Sequence, residues 1–166
     1  MAIALEMRLD AAASEAALNR LAGKLEDRSG LNARLAGYLE ATTQNRFTAQ
    51  AGPDGQRWTP SIRARLVGGL TLVAHAASGL LGSITSSYDA EKVETGTNKI
   101  YGAMMHFGGI VKAKGGGTLK MRIPGVGWRS PRQVTIPGRP WLGIGEGDRQ
   151  GINEVIFDYL SEAAAR

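Results

Sequence analysis

The pattern along this 166-residue chain predicts an α+β domain, and three observations carry that expectation. Two amphipathic helical patterns stand near the start. Short β-prone runs bounded by turn formers fill the middle, and a C-terminal segment repeats its apolar residues at full helical period. The expected architecture is a small antiparallel sheet with N-terminal helices and a C-terminal helix packed on it, plus a long basic Gly-rich loop. Residues 1–166 read as a single domain, because two halves of this length would each be marginal.

Residues 2–9 alternate, with Ile3, Leu5, Met7 and Leu9 on one side, which is the period of a half-buried strand. Asp10 is placed to cap a helix that ends near Glu26 and Asp27, with Leu18, Leu21, Ala22 and Leu25 as its apolar stripe. Ser29-Gly30 is expected to break it. A second helix then places Leu31, Leu35, Tyr38, Leu39 and Thr42 at helical spacing and runs towards Phe47. The pair reads as an α-hairpin, or one long broken helix, laid on the sheet.

Residues 51–60 are dense in turn formers and predict a loop, anchored to the core by Trp58. Ser61 to Leu66 suits one short helical turn. A β-prone run leads to Tyr88, Asp89-Ala90-Glu91-Lys92 makes a turn, and Val93 to Thr97 completes a hairpin. Tyr101 to Phe107 predicts one or two helical turns stopped by Gly108-Gly109. Within the basic loop that follows, strands are expected around 118–123 and 133–136. Finally Ile152, Val155, Ile156, Tyr159 and Leu160 fit one helical face without a miss, with Asp148 as cap.

Charge is unevenly placed. The net charge is +5, yet the stretch from Ile110 to Arg139 holds Lys112, Lys114, Lys120, Arg122, Arg129, Arg132 and Arg139 and no acidic residue. The whole positive excess therefore sits in one glycine-rich segment, and the remainder is slightly acidic. Such a block is a solvated or partner-binding segment. Glycine is abundant, with 23 residues, about twice the usual ~7%. No apolar run approaches the ~20 residues that span a bilayer, so no membrane partner is expected. The first residues lack the basic region of a secretory signal, and cysteine is absent. Both features fit a protein matured in a reducing bacterial cytoplasm.

Catalytic patterns are lacking. With two histidines, His75 and His106, and no cysteine, a zinc site would need carboxylates, and no metal-binding spacing exists. No G-x-S-x-G elbow, Walker pattern or dinucleotide fingerprint occurs, so Gly115-Gly116-Gly117 reads as flexible loop. The acidic pairs Glu26/Asp27 and Glu146/Asp148 sit near helix ends, where capping and solvation explain them. No enzyme activity and no cofactor are expected. His106 reads as a partly buried ring beside Phe107, and His75 as a satisfied core or interface residue.

Four pieces, in order, resemble the Mu-like phage virion morphogenesis (tail completion) family. These are Phe47 with Gly52-Pro53-Asp54-Gly55-Gln56-Arg57-Trp58-Thr59-Pro60, then Ser78-Gly79-Leu80-Leu81-Gly82-Ser83-Ile84. The third runs from Gly96-Thr97 through Tyr101-Gly102-Ala103-Met104-Met105-His106-Phe107-Gly108-Gly109, and the fourth is Pro137-Gly138-Arg139-Pro140-Trp141-Leu142-Gly143. Ser78 stands where the family has threonine, Gly102 and Gly138 where it has alanine, and Met105-His106 where it has His-Gln.

The resemblance implies a structural protein of the virion neck, at the tail-proximal head–tail junction. It implies a self-assembled ring, most often six-fold, contacting the tail tube protein and a head–tail connector or adaptor protein. Trp58, Tyr101, His106, Phe107, Arg139, Pro140, Trp141 and Leu142 are its motif residues here. Pro137 and Pro140 stiffen the backbone around Arg139, which is expected to pair at a subunit boundary, while Trp141 and Leu142 read as core. For the basic loop at about 110–136, three readings stay open. Lys112, Lys114, Lys120, Arg122, Trp128, Arg129 and Arg132 suit a neighbouring protein, genomic DNA in the channel, or plain solvation. The runner-up for the whole chain is accordingly a nucleic-acid-binding module using residues 112–132, with a hydrolase at the histidines a distant third.

Overall fold

A computed structural model describes residues 11–73 and 79–165. The expected strand at 2–9, the Asp10 cap, His75 and Ser78 lie outside the described residues. Among these residues five α-helices run α1 (Ala11–Glu26), α2 (Ser29–Ala49), α3 (Ile62–Val67), α4 (Gly102–Phe107) and α5 (Glu146–Ala165). The described residues also form six strands, β1 (Ile84–Tyr88), β2 (Val93–Thr97), β3 (Gly109–Lys112), β4 (Met121–Ile123), β5 (Gly127–Arg129) and β6 (Gln133–Ile136), in an α+β arrangement.

The strands form three separate antiparallel ribbons, β1–β2, β3–β6 and β4–β5, in place of one small sheet. The β1–β2 hairpin pairs Ile84 with Thr97 and Tyr88 with Val93. Asp89 closes its turn, its carboxylate accepting from the backbone N–H of Glu91 (2.7 Å) and Lys92 (2.9 Å). Those bonds stabilise the ionised form and hold the carboxyl below its ordinary range.

α2 lies across this hairpin, while α1 and α2 both pack on α5. The C-terminal helix therefore docks on helices and not on a sheet. α2 buries Asn32, Ala36, Thr43, Arg46 and Phe47, a face rotated from the expected Leu31–Leu35–Leu39 stripe. Glu40 Oε2 ties the helix to the hairpin by accepting from Ser86 N at 2.7 Å.

Two expectations about α1 fail. The break falls at Asp27-Arg28, and Ser29-Gly30 opens α2. Asp27 turns the chain by accepting from both the backbone N–H and the hydroxyl of Ser29. The α1 stripe is not buried either: Leu18 and Leu25 are 64% and 56% exposed, and α1 has no buried residue. The helix meets α5 through polar and cation contacts instead. Lys24 Nζ stands 4.3 Å from the centre of the Tyr159 ring, and Arg20 donates to the Ala163 carbonyl.

The core is aromatic. Phe47, fully buried, packs edge-on to Trp58 with centroids 5.3 Å apart, and Trp141, Leu80 and Ile84 complete the cluster. Both indoles are satisfied: Trp58 donates to the Pro140 carbonyl (2.9 Å) and Trp141 to the Gly102 carbonyl (3.2 Å). Trp58 thus anchors the 51–60 loop, and Ser61 caps α3 by accepting from Ala64 N. One core cluster binds the hairpin, the loop, α4 and the segment before α5.

Candidate interaction surface

The basic segment, expected as a loop with strands around 118–123 and 133–136, is a two-tier β arm in which β4 and β6 fall at those places. Its base is β3–β6, pairing Gly109 with Ile136 and Lys112 with Gln133, and its tip is β4–β5. Loop bonds from Ala113 N to the Arg132 carbonyl (2.9 Å) and Leu119 N to the Pro131 carbonyl (2.7 Å) join the tiers.

Two glycines allow the base to form. Gly108 ends α4 with φ 75°, and its N–H donates to the Met104 carbonyl. A Cβ there would sit 2.7 Å from the Ile136 carbonyl oxygen, and one on Gly138 would sit 2.7 Å from that of Phe107. The two backbones touch at positions where a side chain would wedge them apart.

Strand alternation sorts the arm into two faces. Met121, Ile123 and Val134 turn towards Ile62 of α3, lining one groove with it, and Gly125 at the tip rests against Leu66 and Val67. The arm is therefore supported by α3 and does not dangle. On the opposite face Ile110, Lys112 and Thr135 are exposed at the base, and Arg122 faces Trp128 across the tip. Trp128 is 69% exposed and Ile110 53%. Lys112, Lys114, Lys120, Arg122, Arg129 and Arg132 all lie in solvent, and none has a carboxylate partner among the described residues.

The motif residues divide between support and surface. Arg139 is 4% exposed and donates through Nε to the Thr59 carbonyl (2.8 Å) and through Nη1 to that of Pro137 (3.2 Å). It is an internal strut, not the free boundary cation expected, and burial lowers its pKa. His106 lies 4.5 Å from Phe107, ring centre to ring centre. Its Nδ1 accepts from the backbone N–H of Trp141 (3.3 Å) and Leu142 (3.4 Å). Burial also lowers the His106 pKa, which suits an imidazole held neutral with its proton on Nε2. Phe107 and Tyr101 remain exposed, and Leu142 packs against the core. With Pro140, Trp58 and Gly138, His106 and Phe107 line a groove of about 510 Å³.

Sequence reasoning missed the pair that holds this region to the helices. Arg46 Nη2 lies 2.6 Å from Asp148 Oδ2, and both side chains are buried. The guanidinium also donates to the carbonyls of Trp141 (3.0 Å) and Gly143 (2.9 Å). Asp148 sits in the first turn of α5 and reaches back to accept from Gly145 N (2.7 Å). It caps the helix from inside, and burial replaces the solvation expected for it. The available signal was Arg46 falling one residue before Phe47, on the face α2 buries.

Among the described residues no group of carboxylates and imidazoles could hold a metal ion. What this surface offers is a rigid platform of cations and exposed apolar groups, suited to docking. No helix of the described residues is long and apolar enough to cross a membrane.

Comparison with known proteins agrees with that character. The chain is 32% identical to Mu-like prophage FluMu G protein 2 of Haemophilus influenzae over 144 residues, covering 87% of this chain and 86% of that one. It is 27% identical to a protein provisionally named capsid assembly protein G of Escherichia phage Mu, covering 98% of each. No solved structure matches. Residues 9–161 match the phage virion morphogenesis family, structural in kind, and the chain belongs to that family.

Proposed function

We propose that the protein acts at the phage head–tail junction as a tail completion or terminator ring, six subunits around the channel axis. It caps the tail tube and presents a surface to the head-side connector or adaptor. Its work is assembly and shape, with no bond chemistry. The observation that carries this reading is the arm: six solvent-facing cations on a braced β ribbon, without carboxylate partners among the described residues. Repeated around one axis, that charge makes a strong directional field for an acidic neighbour.

Native mass spectrometry of the purified chain, with electron microscopy of phage lacking it, tests the reading. The expected outcome is a closed oligomer in the first and separated heads and tails in the second. A strict monomer whose loss leaves joined particles would sink it.

A second reading draws on Arg122 standing directly across from exposed Trp128. That pair offers a phosphate contact beside a stacking surface, so the arm of the free subunit would hold DNA in a salt-sensitive way. Filter retention of a DNA fragment between low and high salt checks it.

A further inference from the structure

Among the described residues the arm's cations have no carboxylate partner, and outside the stretch from Ile110 to Arg139 the sequence is slightly acidic. The outward face of α5 is where that acidity is exposed on one regular element. Its inward residues, Asp148, Tyr159 and Ala163, are buried. Glu146, Glu154 and Asp158 lie in solvent along the other side; Arg149 is the cation of α5 itself, and Arg34 of α2, paired with Glu162, stands near enough to Asp158 to feel its charge. Among them stands Phe157, 70% exposed, a large ring with no packing reason to face water. From Glu146 to Asp158 the strip runs about 18 Å at 1.5 Å per residue.

The two surfaces are mirror demands. One is cationic with exposed Trp128 and Ile110, and the other is anionic with exposed Phe157. They also sit on different supports: the arm is braced on α3, whereas α5 is packed on α1 and α2. A contact between unlike surfaces of identical chains is heterologous, and it repeats until rotation closes it. We propose that the outward arm face of one copy docks on the Glu154–Phe157–Asp158 face of α5 in the next copy. This rests on the ring reading above and names the receiving surface within it. Charge pairs across the rim would set register and encounter rate, and Trp128 with Phe157 would supply the desolvated centre.

Charge reversal with cross-mixing tests it. One variant carries Lys112→Glu and Arg122→Glu, the other Glu154→Lys and Asp158→Lys; all four positions are exposed, and circular dichroism checks that each variant folds. Each variant alone is expected to lose association at least ten-fold by analytical ultracentrifugation. Mixed in equal amounts, they should restore the oligomer, because each arm then meets an opposite helix. A wild-type chain that is itself monomeric would overturn the ring and this contact together. A wild-type oligomer left intact by the α5 reversal, or blocked variants that mixing does not rescue, would overturn the contact alone. Arm reversal that spares assembly but abolishes DNA retention would likewise overturn it, in favour of nucleic acid as the arm's partner.

Discussion

Arg46 of α2 and Asp148 of α5, 102 residues apart, meet as a buried ion pair at 2.6 Å. The same guanidinium holds the carbonyls of Trp141 and Gly143, so one side chain ties α2, the segment after Pro140 and the start of α5. Removing either partner leaves the other charge in a dry site. Asp148→Ala and Arg46→Met should each cost about 3–5 kcal/mol in denaturant unfolding. The double variant Arg46→Met/Asp148→Leu should cost less than the two single losses together, since no lone charge remains.

Neither residue of that pair was legible as buried. Each is a charged residue on a helix, which ordinarily means solvent, and their meeting depends on packing across 102 residues. By contrast α5 was read correctly from its own periodicity, and the β1–β2 hairpin from Asp89 and the residues around it, because both signals are local. Within the arm the strands expected around 118–123 and 133–136 are β4 and β6, whereas β3 and β5 escape the sequence because they are only three or four residues long and the base pairs segments far apart. Short runs rich in glycine carry little β signal until a partner strand arrives. For α1 the apolar stripe was visible, but no residue pattern tells whether a stripe is covered by its own chain.

The crossing of Gly108 and Gly138 sets the root of the arm, and side chains there should loosen it. Gly108→Ala combines a positive φ with a Cβ 2.7 Å from the Ile136 carbonyl, so a loss of about 1–3 kcal/mol is expected. Gly138→Ala meets the Phe107 carbonyl and should cost less, its backbone not being left-handed. Hydrogen exchange at Val111 and Val134 should rise in both variants while that at Ile84 stays slow.

His106 makes stability depend on pH. Its pKa is lowered from the ordinary 6.5 by burial, and its Nδ1 must stay unprotonated to accept from Trp141 and Leu142. Below 6.5 the unfolded chain takes up a proton there that the folded chain resists. This contribution is therefore complete above the unfolded value and is lost as pH falls through the lowered native one. His106→Asn keeps an acceptor at the Nδ1 position and removes the titration. The difference in thermal midpoint between wild type and variant, followed between about pH 7 and pH 5, should shrink on the acid side. A constant difference would show that the imidazole does not titrate with folding.

Trp128 and Trp141 should give opposite signatures when cut to alanine. Trp141 is buried, edge-on to His106 with ring centres 5.8 Å apart, and donates to Gly102, so its truncation should cost about 3–5 kcal/mol and lower the yield of folded protein. Trp128 lies on the arm's open face, with Arg122 as its cross-strand neighbour. Truncating it should leave unfolding stability within about 0.5 kcal/mol of wild type. In the contact proposed for the arm Trp128 is the aromatic anchor, the kind of side chain that dominates interface energies. Trp128→Ala should therefore weaken association of the subunits at least ten-fold while melting normally. Equal loss of stability in both variants would place Trp128 in the fold and remove it from the surface argued for the arm.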